Sequence, residues 1–284
     1  MGFTIATNVS SLNAMRNLTL NQTAQSKSVE RLSSGLRINR AADDAAGLSI
    51  SEGLKNQISG LTQAGRNAQD GISLVQTAEG ALTEVHNILN RMRDLAVQAS
   101  NDTNNTDSRT AIGSELTALS SELTRITQTT NFNGIQLLGP GTDATANPLA
   151  ATLKIQVGAD ANETIDITQA NVAATLTTLG TASANLAVTD QATAATTITS
   201  LDAAIASTSA QRANLGAQQN RLESTARTIA VSVENLSAAN SRIRDTDMAT
   251  EMGNFTKSQI LSNAATAMLA QANQMNSGVM QLLQ

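Results

Sequence analysis

Apolar positions separated by alternating steps of three and four residues run unbroken from residue 198 to residue 243. The stripe reads Ile198, Leu201, Ile205, Thr208, Arg212, Leu215, Gln219, Leu222, Ala226, Ile229, Val233, Leu236, Asn240 and Ile243. A buried strand repeats every two residues and a loop has no period, so this pattern predicts a long helix lying along other helices. A second stripe has the same spacing apart from one step at Ala78. It reads Leu54, Ile58, Leu61, Gly65, Ala68, Ile72, Val75, Ala78, Leu82, Val85, Leu89, Met92, Ala96 and Ala99. A helix of that length spans roughly 65–70 Å at about 1.5 Å per residue. Its glycines, Gly60, Gly65, Gly71 and Gly80, each cost up to about 1 kcal/mol relative to Ala. Close contacts along several faces would offset that cost.

A third apolar face, Ile112, Leu116, Leu119, Leu123 and Ile126, follows the turn NDTNNTDS. Asn and Asp favour turns and helix caps, and the connection is short, so these two helices are expected to form an antiparallel hairpin. NFNGIQLLGPG then breaks the helical pattern, and LKIQV (153–157) and TIDI (164–167) alternate like the strands of a β-hairpin. Both chain ends return to helical periodicity. The first segment carries Ile5, Leu12, Met15, Leu18, Val29 and Leu32, with Gln22 and Gln25 between. The last carries Met252, Phe255, Leu261, Ala265, Met268, Ala272, Met275, Val279 and Leu282. Each end is joined to the middle by a charged break, RLSSGLRINRAADDAAGLSIS on one side and SRIRDTDMA on the other. Terminal stripes without a compact domain of their own are a binding surface or a liability. They are expected to pair with each other and with further copies of the chain.

The predicted class is therefore mainly α, with long antiparallel coiled-coil-like rods, a small β-hairpin region and terminal helices forming an inner domain. Residues 1–42 form the first inner helix, pairing with 244–284, and 43–53 form a connector. Residues 54–140 and 196–243 form a helical wall around a short variable segment, 141–195. Aromatic residues are 1% of the chain, which suits thin helix-on-helix layers better than a thick core.

Composition argues against chemistry. There is no Cys and one His, His86, so disulfides, thiolate nucleophiles and zinc sites of the usual ligand sets are not expected. The net charge of −5 disfavours nonspecific nucleic acid binding. Neither a secretory signal nor an apolar window long enough to span a membrane is found. Asp43 and Asp44 are adjacent carboxylates with no His or Cys beside them. They read as caps or as ion-pair partners of Arg37 or Arg40 rather than an acid–base pair. Ser33-Ser34-Gly35 lacks the spacing of a phosphate loop. No catalytic, metal or cofactor residue is expected.

The ends also resemble a known family, the bacterial flagellins. The matching strings are Ile5-Ala-Thr-Asn8, Leu12-Asn-Ala14, Glu30 to Asn39 (ERLSSGLRIN) and Ala41 to Leu48 (AADDAAGL). Further on come Arg93 to Gln98 (RDLAVQ), Asn131 to Gly134 (NFNG), Ser241 to Ala249 (SRIRDTDMA) and Ala270 to Gln274 (AQANQ). The resemblance implies a filament subunit, secreted and extracellular, that polymerises for swimming motility. It implies export in an unfolded state through the flagellar type III route, and a C-terminal segment that folds on assembly. Implied partners are further copies of itself, an export chaperone on the C-terminal helix, and the cap and hook–filament junction proteins. The family's receptor epitope maps onto Arg91, Leu95 and Glu115, which implies recognition of the monomer by Toll-like receptor 5 (TLR5). Gly35, Arg37, Arg40, Asp43, Asp44 and Gly47 are expected to shape the connector and to contact neighbouring subunits, with the two glycines letting the backbone turn. Ile5, Leu12, Met15, Leu18, Met252, Phe255, Met268, Met275 and Leu282 are expected to pack the inner domain. A hook–filament junction protein and another secreted coiled-coil protein are the alternatives.

Overall fold

A computed structural model describes residues 8–139, 152–172 and 186–281, with side chains up to residue 274. Five helices are described: α1 (Val9–Ser34), α2 (Ala45–Ala99), α3 (Thr106–Thr129), α4 (Gln191–Arg244) and α5 (Met248–Gln281). Four short strands lie between α3 and α4: β1 (Asn131–Phe132), β2 (Ile135–Gln136), β3 (Thr152–Gln156) and β4 (Thr164–Thr168). The chain divides into two compact units, Ser59–Val233 and the two terminal stretches Met1–Ile58 and Glu234–Gln284, with α2 and α4 contributing to both.

The Ser59–Val233 unit is a helical bundle. α3 runs antiparallel to α2, as the pairings Arg91 with Glu115 and Asn101 with Arg109 require. α4 also runs antiparallel to α2, with Arg93 reaching Asp202 and Glu79 reaching Arg212. The core takes the stripes at their expected positions: Val75, Leu82, Leu89 and Met92 from α2, Leu116 and Leu123 from α3, and Leu201 and Leu222 from α4 are all buried. Each buried Leu contributes about 1.5–3 kcal/mol, so the periodicity alone accounts for the assembly of this layer. Arg212 occupies a stripe position on α4, where Glu79 accepts two hydrogen bonds from it at 3.0 and 2.7 Å.

Both hairpins obey local rules. β1 and β2 pair antiparallel around Asn133 and Gly134, both at positive φ, as a two-residue type I′ turn requires. β3 and β4 pair with Ile155 opposite Ile165 and Leu153 opposite Ile167. Ile165 and Ile167 turn to the core while their neighbours face out. The β3–β4 turn lies so close to α2 that a Cβ on Gly60 would sit 2.9 Å from the Cβ of Ala159. Asn67 donates to the Gln156 carbonyl at 3.1 Å beside it.

In the other unit α1 and α5 lie antiparallel, with Asn8 reaching the Ala272 carbonyl and Ser28 reaching Glu251. α2 starts at Ala45 rather than near Leu54, so most of the expected 43–53 connector is helical. The physical reason is a cap. Asp44 accepts from the backbone N–H of Gly47 at 2.8 Å, and its own carbonyl accepts from Leu48.

Candidate assembly interface

The connector is built from the two charged breaks, which the structure joins to each other. α1 ends at Gly35, at φ +72°, whose N–H returns to the Arg31 carbonyl at 2.8 Å. This left-handed cap is what glycine supplies at little cost. Leu36 then bridges Asp245 in antiparallel fashion, and Arg37 N donates to Arg244 O at 2.6 Å while Thr246 N donates to Gly35 O at 3.0 Å. The guanidinium of Arg37 donates to the Ile243 carbonyl at 2.5 Å.

Asp43 pairs with Lys27 at 2.7 Å rather than with Arg37 or Arg40. Its other oxygen accepts from the backbone N–H groups of Arg40 and Asn39 at 3.1 and 3.3 Å. The Lys27 hydrogen bond is the largest influence, followed by the Arg40 N–H, and together they hold the Asp43 carboxyl down at about 2. Arg40 reaches back to Glu30 at 2.8 Å. Adjacent aspartates therefore do two different jobs, one closing the turn and one capping α2. Gly47 lies inside α2 and makes no turn, so its expected role is corrected. A Cβ there would sit 2.4 Å from Asp44 Oδ2 and 2.8 Å from Cδ1 of the buried Ile38, so the site needs the missing side chain for space. Asp247 caps α5 by accepting from the N–H groups of Ala249 and Thr250 and from the Thr250 hydroxyl. The Thr250 bonds hold its carboxyl below the usual range.

The α1–α5 pair leaves much of its apolar surface outside its own seam. Half-buried or buried positions on α1 include Ser11, Ala14, Leu18, Asn21, Gln25, Ser28 and Leu32; on α5 they include Glu251, Phe255, Ser258, Ser262, Ala265, Leu269 and Ala272. The spacing is three-four on both helices, and half of these positions are polar and three are Ala, with Leu18, Leu32, Phe255 and Leu269 the larger apolar ones. Gln25 bonds to Gln259 and Ser11 to Asn273 across it. Of the expected packing residues, Leu18 and Phe255 lie in this seam. Leu12, Met15, Met252 and Met268 do not: they are exposed, Leu12 at 62% and Met268 at 68%. Val9, Leu20, Val29, Met248, Ile260 and Leu261 are exposed with them. Ile5, Leu282 and the side chain of Met275 lie outside the described residues. The periodicity locates the helices and places Leu18, Gln25 and Leu32 in the seam, whereas Leu12, Met15 and Val29 each lie one position from the residue that faces α5.

The proposed receptor residues separate. Arg91 and Glu115 form an exposed ion pair at 2.7 Å between α2 and α3. Leu95 is 3% exposed and belongs to the core, so a partner approaching this subunit meets the ion pair rather than Leu95. His86 is half-buried on α2. Among the described residues no group of His, Cys, Asp or Glu could hold a metal ion, and no helix is long and apolar enough to cross a membrane. Residues that sequence reading passed over are Lys27, Ser28, Glu52 and Glu251. Each carries an intramolecular bond of the connector or seam, and Glu52 holds Arg244 at 2.7 Å. Their signal was available in one form only: Ser28 and Glu251 sit on three-four spacings that pass through polar residues.

Comparison with known proteins completes the site. The family model for the bacterial flagellin N-terminal helical region matches residues 5–141, and that for the C-terminal helical region matches residues 198–283. A flagellin of Halalkalibacterium halodurans is 50% identical over 276 residues, covering 97% of this chain and 98% of that protein. A flagellin of Bacillus subtilis is 47% identical over 299 residues, covering 97% and 98%. A flagellar filament 31.3 kDa core protein of Treponema maltophilum is 42% identical, covering 98% of each. Among solved structures, the crystal structure of Bacillus cereus flagellin aligns with a TM-score of 0.50 at 35% identity, covering 62% of this chain and 94% of that one.

Proposed function

The chain belongs to the bacterial flagellin family and is a structural subunit of the flagellar filament, and on that premise we propose that it polymerises through the outward apolar faces of α1 and α5. The observation that carries the reading is the apolar surface that the α1–α5 pair leaves exposed. Leu12, Met15, Met252, Ile260, Leu261 and Met268 are exposed in the subunit, while half of the seam positions they flank are polar. Exposed apolar surface of that extent is unfavourable in water and favourable against another copy. Contacts of this kind that repeat head to tail without closing generate a helical polymer. The polar share of the seam limits what the hairpin gains by itself, and its ordering is coupled to assembly.

In this reading residues 1–42 and 244–284 form the inner tube, and 54–140 with 196–243 form the wall. The subunit leaves the cell unfolded by the flagellar type III route and functions extracellularly. It is met on the way by a chaperone on α5 and by the cap and junction proteins at the filament ends. The exposed Arg91–Glu115 pair is the surface offered to TLR5, with Leu95 supporting it from the core. Seeded polymerisation tests the central step. Met268→Glu and deletion of residues 245–284 are expected to leave soluble chains whose α2–α4 bundle melts normally. Polymers forming from either variant as readily as from the unmodified chain would contradict the proposal.

A further inference from the structure

The chain concentrates its oxidisable chemistry in one residue type. Cys, Trp and Tyr are absent and His occurs once, against eight methionines. Thioethers are therefore the side chains that a mild two-electron oxidant attacks first. Their placement is uneven. Five methionines have described side chains. Met92 faces the core of the α2–α4 bundle and is 0% exposed. Met15 on α1 and Met248, Met252 and Met268 on α5 are exposed at 59%, 47%, 52% and 68%. All four lie on the α1–α5 pair, outside its seam.

The register of the pair spreads these four along its length. Hydrogen bonds join Asn8 to Ala272 and Gln25 to Gln259, so Met15 and Met268 lie at a similar level. Met248 and Met252 open α5 beside the connector. The other exposed apolar side chains here, among them Leu12, Ile260 and Leu261, are hydrocarbon and do not react with peroxide. At a thioether, hydrogen peroxide transfers one oxygen to sulfur. The S–O bond forms as the O–O bond breaks, sulfur gives up two electrons, and the second oxygen leaves as water with both protons. The product is polar where the thioether was apolar and adaptable. Burying it against another copy without a hydrogen-bond donor is unfavourable.

We propose that Met15, Met248, Met252 and Met268 are a peroxide-modified site: sulfoxide formation there in the soluble subunit blocks its addition to the polymer, and assembly shields the same sulfurs. The inference rests on the filament reading, because a face that meets no other copy would not transmit the change. Sulfoxide is returned to thioether by methionine sulfoxide reductases, so the block is reversible.

The test uses the full chain and hydrogen peroxide. Treatment of the soluble subunit is expected to add oxygen at the four exposed methionines and to leave Met92 as the thioether, read by peptide mass spectrometry. The critical concentration for seeded polymerisation is expected to rise about tenfold, the effect of burying one unpaired polar group per added subunit. Reductase treatment is expected to bring it back to within about twofold of the parent. Treatment of the finished polymer is expected to leave the four sulfurs largely unmodified. Combined Met15→Leu, Met248→Leu, Met252→Leu and Met268→Leu keeps volume and apolarity, and is expected to polymerise within about twofold of the parent with or without peroxide. Unchanged melting of the α2–α4 bundle shows that the oxidised chain is folded. The proposal is overturned if the subunit carrying sulfoxide at the four sites polymerises at the parent concentration. It is also overturned if the leucine variant loses as much to peroxide as the parent, or if subunit and polymer oxidise equally at the four sites. Should the leucine variant not polymerise untreated, the reductase decides: recovery that follows loss of the four sulfoxides supports the proposal, and no recovery overturns it. Failure of the untreated parent chain to polymerise would instead refute the filament reading.

Discussion

Two glycines on α2 provide a matched pair of perturbations. Gly47 and Gly53 lie six positions apart on one helix, and an alanine at either is a better helix former by up to about 1 kcal/mol. At Gly53 nothing lies within 4 Å of the added Cβ. Gly53→Ala is therefore expected to stabilise the folded subunit by about 0.5–1 kcal/mol. At Gly47 the same Cβ would sit 2.4 Å from Asp44 Oδ2 and 2.8 Å from Ile38 Cδ1. Both are tips of side chains that can move, but Asp44 is then lost as a cap, at about 1 kcal/mol. Ile38 is 1% exposed, and shifting it inside a packed site costs about 1–2 kcal/mol. Set against the propensity gain, Gly47→Ala is expected to destabilise by about 1–2 kcal/mol. The two variants should separate by about 2 kcal/mol, or roughly 4–8 °C in Tm for a chain of this size. Thermal unfolding followed by circular dichroism at matched concentration measures it. Equal melting, or Gly47→Ala melting above Gly53→Ala, would refute the crowding argument for the connector.

Further perturbations reach other parts of the chain. Gly60→Ala places a Cβ 2.9 Å from Ala159 Cβ and 3.2 Å from its Cα, so backbone must move; faster hydrogen exchange in β3 and β4 with little change in α3 is the expected result. Leu222→Ala removes a side chain that is 0% exposed and is expected to cost about 2–5 kcal/mol by chemical denaturation; a loss below about 1 kcal/mol would contradict the packing of α4. The Asp43 carboxyl lies at about 2 against an ordinary 3.8, so its stabilising contribution is complete above that ordinary value and is lost as pH falls through the folded one. Asp43→Asn should flatten the fall in stability between about pH 4 and pH 2, and an acid limb identical to that of the parent would remove Asp43 from the account.

The helices of this fold were legible because their signal is redundant. Fourteen successive stripe positions on α2 or α4 tolerate Gly65, Arg212 or Asn240 without losing the period. The β3–β4 hairpin was legible for the same reason, through the alternation at Ile165 and Ile167. The start of α2 was not, since AADDAAGLSIS offers small residues of no clear period and the decisive element is one carboxylate, Asp44, reaching Gly47 N. Nor was the α1–α5 seam. A rule that assigns apolar residues to the interior of their own subunit misplaces Leu12, Met15 and Met252, which the subunit leaves exposed. Pairing of the two charged breaks through Leu36 and Asp245 joins residues about two hundred positions apart, and no local pattern encodes that.

Hydrogen exchange compared between soluble subunit and polymer tests the central claim most directly. The account predicts that amides of α1 and α5 exchange rapidly in the soluble chain and become strongly protected in the polymer. The buried stretches of α2 and α4 within Ser59–Val233 should be protected in both. Equal protection of α1 and α5 before and after polymerisation would contradict an assembly driven by their outward faces.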